Sequence, residues 1–378
     1  MRTRTDSIIA AITHGIVMFM ALAPLTVAAS DTMQGTLQEY IIDYPAENGE
    51  SEAPEHAGVA AQGETPQFGR TERKYRLQRD DGSDVILQGE DALEDYSTGD
   101  RVSVQGRVVS AAGAEGPERM AVQTVESADQ TGETRTREDG AERQSRAADH
   151  GSGSVEQRRV LGIVVDFEGS ETGISQDDAR NAIRASNTSS DALFRIGSGG
   201  DANGGGQLGF FPPEGSGPAV THVDVDITPD GCDFWKDVDP WADAADEAAR
   251  NQGIDFSNHQ HTVYFLPEGA TSCRWAGLGG VGCGDGCRAW VIGTGNGTTA
   301  HELGHNVGLN HTRKFQGEGE ELKEYGEYTL MGWHYGFINP PQREFLGWYD
   351  DHPDRIRSVE GGEKTVTIAG LSADYDGS

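Results

Sequence analysis

Residues 301–311 read His-Glu-Leu-Gly-His-Asn-Val-Gly-Leu-Asn-His, and this stretch restricts the fold of the 378-residue chain more closely than any other. On a helix, His301 and His305 project from one face, one above the other. Both imidazoles then reach a single metal ion at about 2.0–2.1 Å, the length of a zinc–nitrogen bond. Glu302 is turned away by roughly a third of a turn, which puts its carboxylate beside the open coordination position rather than on the metal. Gly308 is predicted to stop the helix, because it enters the left-handed region at low cost, and the chain then doubles back to bring in His311 as a third ligand. Three protein ligands leave the fourth position to water, the arrangement of a catalytic zinc site. From its place beside that position, Glu302 can take a proton from water and return it to a leaving amine. A bare His-Glu-x-x-His match arises by chance in many chains, but Gly308 and His311 at their offsets make this one specific.

His301, Glu302, His305, Gly308 and His311 together resemble the extended motif of the metzincin clan of zinc endopeptidases. The resemblance implies a metzincin-like zincin catalytic domain of α+β or α/β class, with a twisted mixed sheet and an active-site helix. It also implies hydrolysis of peptide bonds in protein or peptide substrates, with one catalytic Zn²⁺ and Glu302 as general base. A methionine-containing turn is expected under the metal, and Thr329-Leu330-Met331-Gly332 supplies it, with Met331 as the apolar floor. Within the clan, Met331-Gly332 followed by Asn339-Pro340 and Phe345-Leu346-Gly347-Trp348 is similar to the gametolysin-like peptidases, over roughly residues 160–350. Some clan members place a tyrosine two residues after the methionine to support the transition state. Here the nearest, Tyr335, is four residues on and departs from that pattern.

With 62 Asp+Glu against 30 Lys+Arg, the formal charge of −32 excludes a sequence-independent grip on nucleic acid phosphates. The basic residues are 5 Lys and 25 Arg, a lysine-poor balance that fits either a saline environment or simple solubility in an exported protein. Export is expected from the N-terminus: Arg2 and Arg4, an apolar run from Ile8, and Val27-Ala28-Ala29 as a cleavage pattern make residues 1–29 a signal peptide. No other segment is apolar enough to span a bilayer, so a secreted, monomeric protein without membrane contact is expected after cleavage. All four cysteines lie in the second half of the chain, and an even number in an exported protein favours two disulfides. Of the three pairings, Cys283 with Cys287 and Cys232 with Cys273 is expected; a thiolate zinc site is the rival.

Residues 30–126 alternate apolar and polar positions in short segments, 36–44, 73–77, 85–87, 101–109 and 120–125, with a helical turn at 91–96. They are expected to form a small all-β, OB-like domain serving as a pro-domain. Residues 127–159 have few apolar residues and read as a disordered linker, with Arg158-Arg159 as a processing point. The peptidase domain is expected over 160–378: a buried strand at 160–167, a helix opened by Ser175 with Asp178 as a capping box, a helix carrying Trp241, Ala244, Ala245, Ala248 and Ala249, and strands at 262–266 and 289–292. Strand-like residues 365–368 close to the last residue fit a chain truncated at its C-terminus. His259 and His261 read as exposed polar residues rather than ligands. Gly199 to Gly206, with Asp201 and Asn203, offers oxygens to Ca²⁺ but as a single copy reads as a loop. No cysteine lies between Ser30 and Arg159, so a thiolate cannot silence the precursor. Steric blockage by the β domain is expected instead, with a carboxylate or imidazole from Asp149 or His150 as the alternative. The competing function is a catalytically silent zincin-fold binding protein.

Overall fold

The computed structural model describes residues 30–45, 68–110, 117–128, 156–170, 173–200, 206–211, 220–283, 286–313, 329–332 and 338–349. The alternating segments of the first half are strands: β1 (Asp31–Pro45), β2 (Phe68–Gln78), β3 (Asp84–Gln88), β4 (Arg101–Ser110) and β5 (Glu118–Ser127). β1 pairs with both β2 and β4, β2 with β3, β3 with β5 in parallel, and β5 with β4, so the five close into a ring. Closure removes the free edges and encloses Leu37, Tyr75, Leu77, Val85, Val102, Val104 and Met120. A single helical turn, Glu90–Ala92, precedes Leu93, which is fully buried in the ring's core.

The second half is a layered α/β unit. Its strands are β6 (Glu156–Phe167), β7 (Leu208–Phe211), β8 (Val220–Val225), β9 (His261–Leu266), β10 (Gly277–Gly280) and β11 (Cys287–Ile292). β6 lies between β8 and β9, β11 follows β9 in parallel, and β10 runs antiparallel at the far side. Residues 160–167 form a nearly continuous apolar run because both faces of β6 are covered. Leu161, Ile163, Val165 and Phe167 pack with Trp241, Ala245 and Ala249 of α3 (Asp239–Asn251) on one face. Val160 and Val164 face α1 (Gln176–Arg180), α2 (Ser190–Gly197) and α4 (Asn296–Asn306) on the other. The capping box at α1 forms: Asp178 N donates to Ser175 Oγ at 3.1 Å, and Ser175 N to Asp178 Oδ2 at 3.1 Å. A short helix, α5 (Pro340–Phe345), ends the described chain.

Both units share β1. Beyond the ring, its residues Tyr40, Ile41, Ile42 and Asp43 pair antiparallel with Gly280, Gly279, Leu278 and Gly277 of β10, so β1 extends the second sheet. Tyr40 and Ile42 join the α3-side core, where the Tyr40 ring lies 4.8 Å from Phe234 and 5.5 Å from Trp235.

Several expectations are corrected. β6 begins at Glu156, so Arg158 and Arg159 are not linker: they pair with β7, and Arg159 Nε donates to Asn258 O at 2.7 Å. A strand held on both sides is a poor protease site. His259 and His261 are buried rather than exposed. His261 Nδ1 meets Asn306 Oδ1 at 3.2 Å, and burial lowers its pKa to about 3, so it stays neutral. Residues 1–29, Asp149, His150, Asp201, Asn203, Tyr335 and 365–368 lie outside the described residues. Among those described, no helix is long and apolar enough to cross a membrane.

Candidate metal centre

Helix α4 carries His301, Glu302 and His305, all fully buried. It ends as expected at Gly308, whose φ of 95° permits a left-handed turn. Gly308 N donates to His305 O at 2.8 Å and Leu309 N to Gly304 O at 2.9 Å, the paired bonds that close a helix on a glycine. The turn returns the chain so that His311 Nε2 lies 3.1 Å from His301 Nε2 and 3.2 Å from His305 Nε2.

The protonation of these rings follows from their outer nitrogens. His301 Nδ1 donates to Leu330 O at 2.7 Å and His305 Nδ1 to Leu309 O at 2.7 Å. A carbonyl only accepts, so each Nδ1 keeps its hydrogen and each Nε2 turns a lone pair inward. Burial lowers the pKa of His301, and lowers that of His305 to about 4, favouring neutral rings. His311 Nε2 lies 3.1 Å from one of these inward-facing Nε2 atoms and 3.2 Å from the other, a spacing that lets one ion sit about 2 Å from each donor. The donor set fits a metal ion.

A fourth side chain joins the three. Asp43, fully buried at the end of β1, places Oδ2 3.1 Å from His301 Nε2 and 3.2 Å from His305 Nε2, and Oδ1 3.1 Å from His311 Nε2. Burial pushes the Asp43 carboxyl up, but His311 and its two neighbours outweigh this and hold it well below the usual range. β2 supplies a further contact, since Thr71 Oγ1 lies 3.2 Å from His311 Nδ1. Glu302 stands beside Asp43, and burial followed by that charge pushes its carboxyl well above the usual range.

Below the histidines, Met331 is fully buried in a turn closed by Gly332 N donating to Thr329 O at 3.0 Å. Its sulfur lies where a side chain at position 304 would begin: a Cβ on Gly304 would come within 2.4 Å of Met331 Sδ. The glycine inside the His-Glu-Leu-Gly-His stretch is thus required by the floor beneath it. Asn306, whose role sequence reasoning missed, donates from Nδ2 to Gly280 O at 2.9 Å and Arg288 O at 3.0 Å, tying α4 to β10 and β11.

A family model described as gametolysin peptidase M11 matches residues 216–373. The chain is gametolysin-like over that span. No curated protein matches the chain. The gametolysin-like stretch contains the three histidines and Glu302, and supports a metallopeptidase acting on proteins or peptides. Both expected disulfides form, Cys232–Cys273 and Cys283–Cys287, the second beside Gly280 of β10. A cavity of about 850 Å³, lined by Tyr40, Arg76, Trp235, Asp239 and Arg288, lies at the junction of the two units, and none of the metal-centre histidines lines it.

Proposed function

We propose that the protein is a secreted, zinc-dependent endopeptidase of the metzincin type, made as a monomeric precursor with an OB-like N-terminal ring. The observation that carries this reading is the convergence of three imidazoles, with His311 Nε2 3.1 Å from His301 Nε2 and 3.2 Å from His305 Nε2, beside a buried glutamate. His301, His305 and His311 would hold the metal, and an all-imidazole set of three suits zinc. Zinc, when bound, polarises a peptide carbonyl and makes water acidic near neutral pH. Glu302 takes the proton from the attacking water and passes it to the departing amine, and the apolar surroundings that raise its pKa fit it for both tasks. Met331 closes the floor and keeps solvent from the imidazoles. Tyr335 is the candidate for supporting the oxyanion in the transition state.

Secretion is supported by the signal-like first 29 residues and by the two disulfides, which form and persist in oxidising compartments. The expected test is Glu302→Gln in the activated enzyme: the amide keeps the shape and loses the base. Zinc content should be unchanged while cleavage of a denatured protein falls to under about 1% of wild type. Turnover above a few per cent would remove Glu302 from its role. A wild type freed of β1 that cleaves nothing, with or without a chelator, would favour the silent binding protein.

A further inference from the structure

The activity requires an open position at the metal and an open cleft beside it, and in this chain β1 carries Asp43 to the three histidines and pairs with β10. We propose that β1 is a built-in inhibitor: Asp43 is the fourth protein ligand of the metal, and the strand that carries it takes the place on β10 that an extended substrate needs. The inference rests on the zinc-peptidase reading above and adds its regulation.

Three observations converge. First, Asp43 belongs to the N-terminal unit, 262 positions from His305, yet its two oxygens lie 3.1–3.2 Å from all three Nε2 atoms and it is fully buried. A carboxylate so placed supplies the negative oxygen donor that completes a tetrahedron with three imidazoles. Second, the backbone around it is fixed in strand register: Ala276 N donates to Asp43 O at 2.7 Å, Val281 N donates to Glu39 O at 2.9 Å, and Asp43 stands opposite Gly277. β10 pairs with β11 on its other side, so without β1 it is a sheet edge, the kind of surface to which extended peptides add as a further strand. Third, the ring holds β1 in advance. Leu37 is buried in the ring core while Asp43, in the same strand, reaches the metal centre, so little further ordering is needed to place the carboxylate. Thr71 on the neighbouring strand touches His311, a second grip from the same unit.

The inhibition is reversible in principle, because it uses a coordinate bond and a strand ladder and makes no covalent change. It also fits a chain with no cysteine in the N-terminal unit: the ligand is a carboxylate, and it comes from the first strand of that unit rather than from Asp149 or His150.

The test uses the full chain, uncleaved and loaded with zinc, and reads binding rather than turnover. Acetohydroxamate, a small metal-binding probe, is titrated calorimetrically into wild type, Asp43→Ala and Asp43→Asn, after zinc content is measured by elemental analysis. Wild type should retain one zinc and bind the probe at least about tenfold more weakly than Asp43→Ala, with Asp43→Asn between them because an amide oxygen is a poorer ligand. Zinc should also pass to a competing chelator faster from both variants than from wild type. Asp43→Asn keeps the volume and the strand, so it carries the same comparison if Asp43→Ala does not fold. Equal probe affinity in wild type and the variants, with zinc present in all, would overturn the role of Asp43 and leave the metal centre standing. A wild type that takes up no zinc would overturn the metal centre itself, and this proposal with it.

Discussion

Glu302 depends on an absence opposite it. A Cβ on Gly277 would lie 2.1 Å from Glu302 Oε1 and 2.6 Å from its Cδ, so the carboxylate occupies the space that any side chain at 277 would claim. Gly277→Ala is therefore expected to push the Glu302 carboxylate aside while leaving the histidines in place. In the activated enzyme, zinc content should stay near wild type, turnover should drop by about tenfold or more, and stability should fall by about 1–3 kcal/mol, the usual range for overpacking. Elemental analysis, peptide cleavage and a denaturant titration check the three parts. Nothing near Gly277 in sequence announces this role, because the requirement comes from a helix that packs across it. The same logic separates the site residues that could be read in advance from those that could not. His301, Glu302, His305 and His311 follow from helical spacing and one glycine turn, and the family resemblance singled out Met331. Asp43 does not follow from anything local: Tyr40-Ile41-Ile42-Asp43-Tyr44 reads as an ordinary strand end, and only pairing with β10 brings its carboxylate to the imidazoles.

Among the elements, those with strong periodicity were legible and those set by tertiary context were not. The ring strands, β6, β9, β11, α3 and α4 were each anticipated, with ends that differ by a few residues. β10 was missed because its sequence is Gly-Leu-Gly-Gly, which has no strand propensity and is ordered by β11, β1 and α4 around it. β1 was anticipated as part of a ring, but its unbroken burial from Glu39 to Asp43 marks the point where it leaves the ring and becomes covered on both faces. The disulfides hold elements of different reach, and their removal should show it. Cys232–Cys273 closes a separation of 41 residues and Cys283–Cys287 one of 4. On the chain-entropy account, replacing the first pair by alanine should cost about 4 kcal/mol and the second about 2 kcal/mol. Denaturant unfolding of the two double variants measures the difference, and equal losses would mean that native-state strain or residual unfolded structure outweighs loop length.

For the whole molecule, the consequence of a shared strand is that covalent continuity and physical attachment are separate matters. β1 is hydrogen-bonded to β2 and β4 within the ring and to β10 in the second sheet. Tyr40 and Ile42 are buried among Phe234, Trp235 and Trp290, and removing two such side chains from a core costs about 1.5–3 kcal/mol each before any hydrogen bonds are counted. Arg76 adds a charge contact across the same junction, lying 3.6 Å from Asp239. A single cut between Ala128 and Glu156 therefore should not separate the two units. With a protease site placed there, the two pieces should elute together on gel filtration at about 0.15 M salt, and cleavage of a peptide substrate should remain under about a tenth of that shown once β1 itself is removed. Activation then requires a second event that pulls or digests β1 away from β10, and activity should track loss of β1 rather than appearance of the first cut. Full activity from the single cut, with the pieces still associated, would show that β1 does not obstruct the site. Immediate separation of the pieces would show that the burial of Tyr40 and Ile42 is too weak to hold the units together without the connecting chain.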